Sequence, residues 1–293
     1  MFEQRFGVEV EMNAITRRRA SKLASIFFGT GDYDVVDLQH NGSVWAAWDS
    51  LGREWKFAKD ASILGDDTHK VELITPVLTY KNDIETLQEL CRTLRKAGAK
   101  SDASRNCGVH VHVESCGQTA TSLRNLSNMI AMHEKLLIKA LDIDPSRLHR
   151  YCKPTDKLFL KELNADKPLS LDNFKDIWYK TQCDPLQSRT EKYNPSRYHM
   201  LNLHSTFIMN TIEFRMFQFD KPDETKLNGI HAGQLKAFIQ LCLAICNKAK
   251  HLKYTKCNTE CEISKDAMLK WLTYLGMKGT EFDTARMILT KRL

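Results

Sequence analysis

The chain has 293 residues, of which 42% are hydrophobic, 27% charged and 9% aromatic. That balance excludes a disordered or fibrous protein and leaves room for one large domain or two average ones. Forty-three Lys and Arg against 36 Asp and Glu leave a formal charge of +7, which suits an anionic partner without choosing among nucleic acid, nucleotide and acidic peptide. Nine cysteines, an odd number, are scattered with no signal-peptide pattern, and the apolar runs fall well short of the roughly 18 residues that span a bilayer. A cytoplasmic protein with free thiols is the expectation.

From Phe6 to Asn13 the sequence alternates strictly, which predicts a strand with Phe6, Val8, Val10 and Met12 on one face and Glu9, Glu11 and Asn13 on the other. Thr16 caps a predicted helix that runs to about Gly29 and opens on a solvated turn, Arg17 to Arg19. Val44 to Asp49 and Glu54 to Phe57 flank Leu51-Gly52 as a hairpin. Trp45, Trp48 and Trp55 gather there as core packing, with a wall for a base as the alternative, and Lys56 alternates with Trp55 and Phe57. His69 to Thr75 reads as a strand stopped by Pro76. A helix capped by Asn82 or Asp83 runs through Ala97 on an apolar stripe of Ile84, Leu87, Leu90, Cys91 and Leu94.

Val109 to Val113 is the next strand, and an amphipathic helix follows from about Ser122 to Leu141. Residues 145–197 are polar and punctuated by Pro145, Pro154, Pro168, Pro185 and Pro195, which predicts short helices and loops and a lid or specificity insert. Strands at Tyr198 to Leu203 and Thr211 to Phe219 precede a helical part at about 223–293. Cys242 and Cys246 lie inside an apolar helix and read as core, although their spacing and that of Cys257 and Cys261 invite zinc. Strands dominate early and centrally, with helices between and after them, so the fold class is α+β rather than a doubly wound sheet. One domain, 1–293, is the expected organisation.

Three strands share one unusual feature. Glu9 and Glu11, His110 and His112, and Glu213 and Arg215 are each two residues apart, so each pair projects from one sheet face while Val, Ile, Phe and Met project from the other. Glu72 adds a carboxylate within a fourth apolar strand. Each pair has an ordinary reading as a solvated face or a salt bridge. Together they point to a shared cation, because clustered carboxylates repel unless something neutralises them. Several carboxylates with one or two imidazoles favour Mg²⁺ or Mn²⁺ over structural zinc.

Gly7-Val-Glu-Val-Glu11, Asp60-Ala-Ser62, Val71-Glu-Leu-Ile-Thr-Pro76, Cys107-Gly-Val-His-Val-His-Val113, Tyr198 with Asn202, and Thr211-Ile-Glu-Phe-Arg215 stand in an order that resembles the amidoligases. These are carboxylate–amine ligases of the superfamily that includes glutamine synthetase and glutamate–cysteine ligase, and the resemblance covers about residues 6 to 220. It implies a curved, mostly antiparallel sheet with helices on one face, and a concave face that binds ATP with two or three divalent ions. By the same resemblance Glu9, Glu11 and Glu72 would ligate metal, and His110 with Glu213 would complete another ion's shell. His112 would lie near the ATP phosphates, with Lys56 a further candidate, and Arg215 would neutralise the transferred phosphoryl group. Asp60 and Ser62 join the substrate set by the same route. Arg197 and Asn202 could orient a substrate carboxylate. The larger relatives carry a further carboxylate close to Glu72; the sequence neighbours here are Asp66 and Asp67, which leaves the number of metals open.

The activity expected is ATP-dependent amide formation between a carboxylate-bearing and an amine-bearing small molecule or peptide, through an acyl phosphate. Two other readings stand beside it. One is a metallohydrolase using His110, His112 and the glutamates. The other is a nucleic-acid-binding module, supported by the net charge and by Arg17 to Arg19 but lacking interleaved aromatic residues. The +7 excess fits an acidic substrate better than nucleic acid. The sequence leaves the oligomeric state open and gives no reason to expect a membrane partner.

Overall fold

The computed structural model describes residues 1–38, 43–182, 188–222, 229–256 and 261–293. In chain order the elements are β1 (Arg5–Met12), α1 (Arg17–Phe28), β2 (Tyr33–Asp37), β3 (Val44–Trp48), β4 (Glu54–Ala58), β5 (Val71–Ile74), β6 (Leu78–Thr79), α2 (Tyr80–Lys96) and β7 (Val109–Glu114). There follow α3 (Ala120–Leu141), α4 (Pro145–Arg150), α5 (Lys157–Asp166), α6 (Leu171–Gln182), β8 (Leu201–Asn202), α7 (His204–Ile208), β9 (Thr211–Phe217), α8 (Ala232–His251), α9 (Lys265–Tyr274) and α10 (Asp283–Thr290). The strands hydrogen-bond in the order β2-β3-β4-β5-β1-β7-β9-β8, with β6 also on β1, and the antiparallel sheet does not close into a barrel. The α+β class is therefore as the element pattern predicts. No described helix is long and apolar enough to cross a membrane. Contacts gather into two compact units, one of residues 2–111 with 217–236 and the other of residues 112–216 with 237–293 and Met1.

In the unit of residues 2–111, alternation builds the core directly. Phe6, Val8, Val10 and Met12 of β1, Trp55 and Phe57 of β4, and Val71 and Leu73 of β5 are all buried. Helix α1 packs on β2, β3 and β4, its start fixed by the Thr16 hydroxyl accepting from the Arg19 amide and its end by Gly29 at φ 74°. Its first turn is not solvated throughout. Arg17 is buried and donates from Nε to the Ser43 carbonyl and from Nη1 to the carbonyls of Asp67 and Lys70. Arg18 and Arg19 are exposed, as expected. The sequence reading missed β2, an edge strand whose alternate residues are exposed, because its acidic residues weaken the apolar signal while blunting the edge. Helix α2 begins earlier than predicted: the Asp83 carboxylate reaches back to accept from the Thr79 amide at 2.7 Å.

In the unit of residues 112–216, Thr119 and Ser122 form a reciprocal capping box that starts α3 at Ala120. Segment 145–197 holds three helices, α4, α5 and α6, and an aromatic cluster in which Phe159 meets Trp178 edge-on at 5.0 Å and Phe174 at 6.0 Å. The strand expected from Tyr198 to Leu203 shortens to β8, because the chain turns into α7 at His204. Cys242 and Cys246 are fully buried in α8 and burial pushes both thiols up, so they are core residues. Cys257 of the other cysteine pair, and the start of the predicted C-terminal part at 223–228, lie outside the described residues.

Candidate functional site

Backbone register sets the first group. Glu11 of β1 lies opposite Glu72 of β5, and Glu72 lies opposite Ala58 of β4. Directly opposed residues of antiparallel strands share a face, so Glu9, Glu11 and Glu72 project from the side away from the buried Val, Met and Leu side chains. His110 of β7 sits between the two β1 glutamates, with Nδ1 2.8 Å from Glu9 Oε2 and Nε2 3.8 Å from Glu11 Oε1. The second Glu11 oxygen accepts the Gly108 amide at 2.6 Å. Ligand atoms of Glu9, Glu72 and His110 lie within 4.8 Å of one another, and so do those of Glu11, Asp60 and Glu72. Four carboxylates and one imidazole therefore meet within one unit, with Glu72 common to both triplets.

The aspartate whose oxygen lies close to Glu72 is Asp60. The sequence neighbours Asp66 and Asp67 are both exposed. Asp66 caps a 3-10 turn, and Lys59 at 2.7 Å and Lys70 at 2.9 Å hold the Asp67 carboxyl down at about 2. Asp60, expected among the substrate residues, has a carboxylate oxygen near those of Glu11 and Glu72, while one of its oxygens accepts the Ser62 amide at 2.6 Å. The loop carrying Asp60 and Ser62 is tied down by side chains distant in sequence. Asn13 donates to the Leu64 carbonyl at 2.9 Å, Asn106 donates to the Ser62 carbonyl at 2.6 Å, and the Leu64 amide donates to the Arg105 carbonyl at 2.9 Å. Arg17 closes the same loop at Asp67 and Lys70. Lys56 pairs with Glu54 at 3.0 Å on β4, half-exposed.

The second group lies in the other unit. Glu213 and Arg215, two apart on β9, are buried and hydrogen-bonded to each other. Asn202 of β8 is opposite Glu213 and donates to its other oxygen at 2.5 Å. The guanidinium also reaches the Tyr151 carbonyl at 3.3 Å and lies over the Tyr198 ring at 5.8 Å. His112 of β7 has Nδ1 3.1 Å from the Thr211 hydroxyl and Nε2 3.9 Å from Glu213. Arg197 packs its guanidinium on Tyr193 and Tyr198, at 5.3 and 5.8 Å. Thr211 is the member that sequence reasoning missed; a threonine at the start of a strand carries no signal of its own.

Residues 2–246 match the model of a family described as "putative amidoligase enzyme". The chain belongs to the amidoligase family. Membership makes it a ligase of the amide-forming kind, which acts on small-molecule or peptide substrates. The match extends past residue 220, where the sequence resemblance faded, and takes in most of α8. No curated protein matches the chain. The carboxylate cluster of this amidoligase suits hard divalent ions: its donors are oxygens with a single imidazole, and no thiol is among them.

Proposed function

We propose that this amidoligase joins a carboxylate to an amine at the expense of ATP, through an acyl phosphate that gives the carboxylate oxygen a leaving group. The observation that carries this reading is the convergence of Glu9, Glu11, Glu72, Asp60 and His110 in one unit of a family that makes amides. Glu9, Glu11, Glu72 and His110 would hold Mg²⁺ or Mn²⁺, with Asp60 as a further ligand. Bound there, such ions supply neutralisation of the phosphate charge, the main demand of phosphoryl transfer.

The remaining roles belong to this chain's side chains. Arg215 supplies a fixed positive charge toward phosphate oxygens, oriented by its bond to Glu213. His112, with Nδ1 facing Thr211, presents its ring edge for a phosphate contact. Arg197, Asn202 and Ser62 serve the organic substrates, and Lys56 offers a mobile cation. Residues 145–197 act as the substrate-determining insert of a single catalytic domain.

The test uses the full chain with ATP, Mg²⁺ and a pool of amino acids and short peptides. Phosphate release that requires both an acid and an amine supports ligation. A folded protein that fails to bind millimolar ATP in the presence of Mg²⁺ rules it out. Zinc retained through purification, with turnover in the absence of ATP, would favour the hydrolase reading.

A further inference from the structure

Within the unit of residues 112–216 and 237–293, a groove of about 650 Å³ lies among α3, α5 and residues 254–256. Its lining carries Arg124, Lys157, Lys161, Lys167 and Lys256, and none of the described residues lining it is acidic. Helix α5 separates its charges by face to produce this. Lys157 and Lys161 are one turn apart on the groove side with Leu160 and Asn164, whereas Glu162 turns toward α6 and pairs with Lys180 at 2.8 Å. Asp166, the other acid of this helix, lies on that same side with Glu162 and Lys180, so neither acid faces the groove-side lysines.

The floor is built. Asn128 and Asn164 exchange hydrogen bonds at 2.8 and 2.9 Å, and Asn128 also donates to the Thr255 carbonyl at 3.0 Å. These bonds fix α3, α5 and the strand of backbone that carries Tyr254 and Lys256. The Thr255 hydroxyl, on the groove lining, is shielded from solvent and has no hydrogen-bond partner among the described residues. A buried hydroxyl normally has a partner, so this one is poised for an acceptor arriving from the groove. A cleft lined by one sign of charge focuses its field on a ligand of the opposite sign.

We propose that this groove binds a compact polyanion, a molecule presenting several closely spaced phosphate or carboxylate oxygens. The lysines supply point charges, Arg124 can grip one anionic group in two-pronged fashion, and Thr255 donates to a buried oxygen. The volume suits a small molecule or a short acidic peptide segment. Lys157, Lys161 and Lys167 belong to the segment proposed as the substrate-determining insert, but the groove uses none of the side chains proposed to hold metal or phosphate, so anion binding here is tested without ATP or a divalent ion.

Calorimetric titration of the full chain at low salt, with EDTA present so that no divalent ion recruits the probe to the carboxylate cluster, tests it. Tripolyphosphate is the phosphate probe and tetraglutamate the carboxylate probe; the tighter of the two identifies the anionic group. One saturable site is expected, weakened at least fivefold in Lys157→Gln/Lys161→Gln and unchanged in Lys22→Gln/Lys81→Gln, which removes the same charge from two exposed positions on α1 and α2. Thr255→Val, which removes the hydroxyl and keeps the shape, is expected to weaken binding about threefold. Equal loss in both double variants, no saturable binding of either probe, or a single-stranded oligonucleotide that displaces tripolyphosphate in proportion to its length would each overturn the proposal.

Discussion

The two polar groups are built from the same device, charged residues two apart on an antiparallel strand, yet they assemble different chemistry. Around Glu213 a carboxylate meets donors: Arg215 binds one of its oxygens and Asn202 the other. Around Glu72 ligand atoms converge: the triplets that share it bring together four carboxylates and one histidine. A buried charge pair is stable only while both partners remain, whereas converging carboxylate oxygens and an imidazole are the donor set that a hard cation prefers. The difference teaches that alternation alone cannot separate a structural ion pair from a ligand site. The identity of the second residue in each pair does.

The largest effect should come from the group around Glu213. Arg215→Met leaves Glu213 buried without its guanidinium partner, and we expect a loss of about 3–5 kcal/mol in urea unfolding; a loss under ~1 kcal/mol would show that the pair does not hold the region. The acidic cluster should respond through its affinity for metal. Glu72→Gln keeps the shape of the side chain and removes its charge, and is expected to change the stability of the metal-free protein by less than ~2 kcal/mol. The same change should weaken the stabilisation by Mn²⁺ at least tenfold, read from the midpoint of the rise in melting temperature with ion concentration. A Glu72→Gln protein that loses several kcal/mol without metal would make the cluster a structural network instead.

Acid should separate the regions by pH. His133 and His199 are half-buried, and this partial desolvation holds both below the ordinary histidine value despite their bonds to the carbonyls of Met129 and Pro154. Unfolding returns them to about 6.5, so the unfolded chain binds more protons below that pH, and their contribution is intact above 6.5 and declines as pH falls toward the folded values. In the other region burial pushes Asp49 and Asp83 up, but hydrogen bonds outweigh it, from Trp55 and Arg53 to Asp49 and from Arg53 and Thr79 to Asp83, and both carboxyls end below their ordinary value. Their contribution is present above about 3.8 and is lost as pH falls through the folded values. Denaturant midpoints should therefore fall first between pH 7 and 5, with His133→Phe making that slope shallower, and again below pH 4. The smallest effect is expected at Lys56, whose half-exposed pair with Glu54 should make Lys56→Gln change stability by less than ~0.5 kcal/mol.

Most of the sheet was legible because a strand with one buried face writes itself as alternation. Val8, Val10 and Met12 announce β1, and the same rule placed Glu9, Glu11, Glu72, His110, Glu213 and Arg215 on strand faces. Which strands adjoin was not legible from alternation, because register is a tertiary property; the pairing of Glu11 with Glu72 comes from the strand order. The nearness of Asp60 to Glu72 was illegible for a related reason. Asp60 sits on a loop, and a loop carries no periodicity, so only its tethering brings it to Glu72. Arg17 was misread because a basic run at a helix start looks solvated, and nothing local reports the three carbonyls that converge on it.

Those tethers bear on ion choice. The backbone of the loop from Lys59 to Lys70 is tethered at Ser62, Leu64, Asp67 and Lys70 by Asn106, Asn13 and Arg17, which limits how far Asp60 can be carried away from Glu72. Discrimination between hard cations of equal charge rests on cavity size, ligand number and flexibility. In the proposed metal site, a frame that resists expansion would favour the smaller Mg²⁺ and Mn²⁺ over the larger Ca²⁺. Loosening a distant amide contact such as Asn106 to Ser62 would then relax selectivity without touching a single ligand.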